Sequence, residues 1–273
     1  MRLSFIPKFD AFKRKSIVGQ LVVSIIGVQL LFFGSFVALS LPTATQRNLA
    51  CFMHNQELAV LSVLPYKWQQ SALERLPALG APAQPVRFSL YVPIVPLTIF
   101  LGYCLGATLG LLAAATYFIL GLLAPFAGIY PFASGGGLDY WSQPGFGYLL
   151  GCVAAAWCAG LATAKRPTSF RQSLAIASGL AAAHAVGLIY LFGSCLISLF
   201  VEGTPRFPQW RPWVLEEARN LSWYTLPYDL IFSFAAIGLG FPFRWLVDTL
   251  TAPDIAAKAR NQQRIEDFDL DPV

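Results

Sequence analysis

From Val92 to Ile129 the chain runs without a single charged side chain. A helix crosses about 30 Å of hydrocarbon with roughly 20 apolar residues. The run is therefore too long for one span and about right for two, with Gly102 and Gly106 placed to permit the turn between them. Four further apolar stretches recur along the sequence, Ser16–Leu41, Gly145–Ala164, Ser173–Phe200 and Leu226–Leu250. With 56% hydrophobic and 12% charged residues, and a mean hydropathy of +0.58, a water-facing surface could not be covered. The expected fold is an all-α polytopic membrane protein with six transmembrane helices. Its expected organisation is a basic tail over residues 1–15, a six-helix domain over 16–250 carrying an external insertion at 42–89, and a polar tail over 251–273.

Charge placement orients this domain. Arg2, Lys8, Lys13, Arg14 and Lys15 precede the first span, Lys165, Arg166 and Arg171 separate the fourth and fifth, and Arg244, Lys258, Arg260 and Arg264 mark the end. Basic residues concentrate on the cytoplasmic side, so the reading is a multi-pass inner-membrane protein with both termini in the cytoplasm. The net charge of +5 lies at the edges of apolar segments and forms no basic and aromatic surface, which argues against a nucleic-acid partner. Ala38-Leu39-Ser40 resembles a signal cleavage site, but the apolar region before it exceeds the usual 7 to 15 or so residues, so the first span is read as retained. The connection Pro42–Ser89 is too polar to span and is expected to hold one interfacial helix near Gln56–Leu76. A charged, Trp-rich loop is expected over Val201–Tyr224.

Enzymatic chemistry finds no support. There is no Gly-x-x-x-x-Gly-Lys phosphate loop, no His-Glu-x-x-His metal helix and no Gly-x-Ser-x-Gly elbow, so any ATP hydrolysis would fall to another subunit. Five cysteines without a Cys-x-x-Cys pair, and two histidines, suggest packing rather than a metal or a disulfide framework, and no cofactor is expected. His184, within the fifth span, reads as a packed helix contact sooner than as a proton relay.

Three features stand out. Asp229 opens the sixth span, where an ionisable group marks a cavity or a partner, or else complements the helix dipole two residues after Pro227. As a ligand group, its carboxylate could accept two parallel N–H donors from a cyclic urea or an amide. Gly135, Gly136 and Gly137, followed by Tyr140 and Trp141, either let backbone and aromatic faces approach a ligand or form a turn with interfacial anchors. Gly147 and Gly151 have the spacing of close helix packing, with Tyr148 between them as a residue that could also face a cavity.

The run Pro-Phe-Ala-Ser-Gly-Gly-Gly-Leu-Asp-Tyr-Trp-Ser-Gln-Pro-Gly-Phe-Gly-Tyr-Leu-Leu-Gly, from Pro131 to Gly151, resembles the central signature of the BioY family of biotin transport proteins. Val92-Pro93, Tyr117-Phe118-Ile119-Leu120-Gly121 and Leu226-Pro227-Tyr228-Asp229-Leu230-Ile231 are similar to further family landmarks in the same order. The resemblance implies a six-helix substrate-binding component of an energy-coupling-factor importer. Such a component captures biotin from the outer face and works with a transmembrane coupling subunit and two ATPases, or acts alone. By the same resemblance Asp229 would bind the ureido ring, Gly135, Gly136, Gly137 and Tyr148 would close over and line the pocket, and Tyr117 would form a wall. The chain departs from the family in three places. Phe232 stands where many members have lysine, which leaves the partner of the ligand carboxylate open. The first helix offers Gly19, Ser24 and Gly27 in place of an Ala-xxx-Ala contact for the coupling subunit, and the insertion 42–89 has no recognised counterpart. The alternatives are transport of another vitamin-sized solute, or a structural or assembly role in the membrane.

Overall fold

A computed structural model of the chain describes residues 16–42, 46–86, 88–130, 132, 135–164, 168–200 and 212–252. Most of the basic residues behind the orientation reading, including the N-terminal tail, Lys165, Arg166 and the tail beyond Ala252, lie outside the described residues.

Every predicted span coincides with an apolar helix. In chain order, with two further helices between the first two, they are α1 (Ile17–Gly34), α4 (Ile94–Leu105), α5 (Ala107–Leu123), α6 (Phe146–Ala162), α7 (Ser169–Phe200) and α9 (Leu226–Leu250). Four stretches are long and apolar enough to cross a bilayer: Ile17–Gly34, Ala107–Ala127, Ser169–Ile197 and Val214–Leu250. Helices α4 and α6 are shorter, roughly 18 and 26 Å at 1.5 Å per residue. The turn dividing the charge-free run falls on Gly106, whose φ of +82° suits glycine.

Local chemistry sets the ends. The Ser16 hydroxyl accepts the Gly19 N–H at 3.3 Å and starts α1. The expected first span stops early, because Leu39–Leu41 (β1) leaves the helix to pair antiparallel with Ser89–Tyr91 (β2), Leu39 opposite Tyr91. Between these strands the single expected interfacial helix is in fact two, α2 (Gln46–Val63) and α3 (Tyr66–Arg75). Pro65, which has no N–H for the helical ladder, separates them. The expected loop over Val201–Tyr224 also needs correction. From Pro212 onward it is helical, with α8 (Pro212–Ala218) running into a π-helical turn, Arg219–Trp223, and then α9. Its polar and aromatic composition concealed an extension of the sixth helix.

Small residues make the interior. Ala155, Ala156, Ala159, Ala175 and Ala183 are buried, while Ile17, Ile189, Leu239 and Phe241 face outward, the arrangement expected when lipid is the solvent. A Cβ on Gly102 would collide with the Ala156 carbonyl, and one on Gly151 with the Ala183 carbonyl, so these glycines set the α4–α6 and α6–α7 separations. At the end holding the C-termini of α4, α6 and α9, Arg244 donates to the Tyr103 and Thr163 carbonyl oxygens, each at 3.2 Å, and lies over the Tyr103 ring. The opposite end gathers the N-termini of α6 and α9 with the C-terminal half of α7.

Candidate functional site

Asp229 is the buried charge around which that opposite end is organised. Pro227 in the first turn of α9 suits a helix start, and Asp229 follows with only 3% of its surface exposed. Its carboxylate does not simply complement the helix. The Tyr91 hydroxyl, at the end of β2, donates to Oδ1 at 2.6 Å, and His184 Nε2 of α7 lies 3.4 Å from Oδ2. Burying an ionised carboxylate costs several kcal/mol, and paired, hydrogen-bonded neighbours are what offset it.

The cluster continues from there. His184 Nδ1 is 3.3 Å from the Ser222 hydroxyl in the π-helical turn, and Ser222 is 2.7 Å from the Tyr148 hydroxyl of α6. One polar chain thus links β2, α9, α7, the π-helical turn and α6. On the Tyr91 side, Phe232 stacks on the tyrosine ring at 5.6 Å and 17°, and Tyr228 flanks it at 6.0 Å. Burial, and then the Asp229 carboxylate, push the Tyr91 hydroxyl above the usual tyrosine range, so it stays protonated as a donor. His184 Nε2, the Tyr228 hydroxyl and the Ser233 hydroxyl are buried without a well-formed hydrogen bond among the described residues, leaving capacity for polar atoms from elsewhere.

Beside His184 opens a mostly apolar groove of about 510 Å³ between α7 and the α8–α9 stretch, within the size range of small-molecule sites.

The glycine loop forms a second cluster. Gly135, Gly136 and Gly137 have φ values of +118°, +141° and +98°. Two of the loop's N–H groups are engaged by neighbouring carbonyl oxygens. Gly137 N–H donates to Gly121 O at 3.1 Å, and Gly135 N–H to Phe132 O at 3.0 Å. Phe132 packs on Tyr117 and Tyr140 with centroids 5.6 and 5.0 Å away, and all three are buried. The Trp141 carbonyl accepts from the Tyr190 hydroxyl, tying the loop to α7. Ala133 and Ser134 lie outside the described residues.

Among the residues singled out in the sequence, the structure joins Asp229 and Tyr148 through His184 and Ser222, and gathers Tyr117, Tyr140 and the glycines in the neighbouring cluster. Trp141 is tied to α7 through Tyr190, whose ring packs on Phe146 at the start of α6. Tyr91, Ser222 and the role of His184 were missed. His184 carried a signal as the sole histidine in the apolar spans, but its partner is distant in sequence. Tyr91 and Ser222 carried none.

Residues 75–248 match the model of the BioY family. The chain is 36% identical over 124 residues to the biotin transporter BioY of Thermotoga maritima, covering 45% of this chain and 66% of that one. It is 35% identical over 109 residues to the probable biotin transporter BioY of Lysinibacillus sphaericus, covering 37% and 54% respectively. The matches thus span less than two thirds of either curated relative. A crystal structure of the S-component for biotin from an ECF-type ABC transporter superposes with a TM-score of 0.47 at 14% identity, covering 88% of this chain and 94% of that chain.

Proposed function

The chain belongs to the BioY family, and from that premise we propose that it takes up biotin across the inner membrane. It does so as the substrate-binding component of an energy-coupling-factor importer, with a transmembrane coupling subunit and two ATPases as partners, or as a solitary transporter. Both termini are cytoplasmic, six helices span the bilayer, and the Asp229 end opens to the outside.

The observation that carries this reading is the environment of Asp229. A carboxylate 97% shielded, on a helix start and beside a groove, is a costly feature for packing alone. It suits a ligand that presents two N–H groups side by side, which the ureido ring of biotin does. Tyr91 and His184 hold the carboxylate, and ureido N–H groups would take over or share its acceptor sites. Tyr148 lines the same site through Ser222. Gly135, Gly136 and Gly137, with Tyr117, Tyr140 and Trp141, form the adjoining wall that closes over it.

The test is biotin binding by detergent-purified wild type beside Asp229→Ala and Asp229→Asn, each shown to be inserted and monodisperse. Saturable binding by the wild type, reduced at least a hundredfold in both variants, is expected. A folded wild type that binds no biotin would remove the biotin reading. A thermal-shift panel of other vitamins would then identify the solute, since a ligand of the folded state raises apparent stability by mass action.

A further inference from the structure

Beyond Asp229, α7 and the α8–α9 stretch face each other along two stripes. His184, Leu188 and Phe192 recur every four residues on α7, and Leu226, Ser222, Arg219 and Leu215 form the facing stripe. The groove between them is roughly 12 Å long, judged from the eight residues separating His184 and Phe192 at 1.5 Å each. Its inner end is polar, with Ser222 and His184, and His184 touches Asp229. Its walls are apolar, and Arg219 is the one cation among the lining residues.

Arg219 stands one turn outward from Ser222, and no ion pair or hydrogen bond engages its guanidinium among the described residues. Glu216 and Glu217 precede it in sequence, yet neither lines the groove. One turn into α9 from Asp229, Phe232 is stacked on Tyr91 and offers no charge. From Asp229, which lies behind His184 and does not itself line the groove, the order outward is imidazole and hydroxyl, then apolar walls that carry an exposed guanidinium without a partner among the described residues. A ligand complementary to that order has a polar N–H-bearing head, an aliphatic chain and a terminal anion.

We infer that Arg219 binds the ligand carboxylate, with the aliphatic chain lying along Leu226 and Leu188. This rests on the biotin reading above. The planar guanidinium matches a carboxylate in bidentate fashion, which gives orientation as well as attraction.

The test measures the Kd of biotin and of its neutral carboxamide for purified wild type, Arg219→Gln and Arg219→Lys. Because Arg219 is exposed, screening limits the expected wild-type preference for biotin over the carboxamide to roughly tenfold. In Arg219→Gln both compounds bind with the wild-type carboxamide affinity, and Arg219→Lys keeps part of the preference. Unchanged carboxamide binding reports that the variants are folded. A full preference retained in Arg219→Gln, or none in the wild type, overturns the assignment of Arg219 while leaving biotin as the ligand. Failure of folded wild type to bind either compound overturns the biotin reading itself, and this inference with it.

Discussion

Tyr91 contributes the shortest contact to Asp229, and it is the residue whose removal best isolates the cost of that buried carboxylate. Tyr91→Phe keeps the ring, and with it the stack on Phe232, but leaves Oδ1 without its donor. A hydrogen bond to a charged group contributes about 1.5–3 kcal/mol, so a loss of that size is expected in the unfolding free energy of the purified protein. The same substitution carries a pH signature. The folded-state pKa of Tyr91 is raised above the unfolded value of about 10, so its stabilisation is fully present below that pH and is lost as pH rises beyond it. Thermal stability of the wild type should therefore fall more steeply above about pH 10 than that of Tyr91→Phe. Parallel slopes would mean that the hydroxyl is not held as the structure describes. The sequence singles out Asp229 because an acid in an apolar segment is conspicuous by itself. Tyr91 is an ordinary aromatic residue at a membrane edge, and it reaches Asp229, 138 residues away, because β2 leads straight into α4, which packs on α9. His184 looks like a packing residue until its two ring nitrogens are placed beside Asp229 and Ser222.

Helix contacts are set by glycines whose neighbours can be named. Gly151 and Gly147, read from their spacing as packing positions, lie against the Ala183 backbone and the Tyr190 side chain of α7. Gly193, on α7 itself, meets nothing within 4 Å. Gly151→Ala must push α6 and α7 apart and should lower stability by about 1–3 kcal/mol. Gly193→Ala should be neutral or stabilise by up to about 1 kcal/mol, since a helical glycine is replaced without a clash. Thermal unfolding in the same detergent checks the pair, and equal effects would contradict the α6–α7 contact. Helix positions were legible because long apolar runs have few other solutions. The π-helical turn at Arg219–Trp223 was not, because its residues are polar and aromatic like those of a loop. The strands were hidden for a related reason, since three-residue strands carry too little periodicity to register.

Across the whole molecule two ends differ in character. One carries the Asp229 cluster and the groove, and the other is drawn together by Arg244, which sequence reading treated only as a marker of orientation. Which end faces outward decides whether the site captures solute from outside, and the cysteines provide the measurement. Cys104, Cys152 and Cys195 are buried, and Cys158 lies within the apolar helix α6. Cys51 sits on α2, in the polar segment between β1 and β2 that leads directly to Tyr91. A membrane-impermeant maleimide applied to spheroplasts should label the wild type and leave Cys51→Ser unlabelled. A cysteine placed at Val273 in that Cys51→Ser background should react only after the membrane is opened. The reverse pattern would place the insertion and the Asp229 groove on the cytoplasmic side. Solute capture from outside would then require the site to be reached through the Arg244 end, where three helices are held together by part-buried contacts from Arg244 to two carbonyl oxygens.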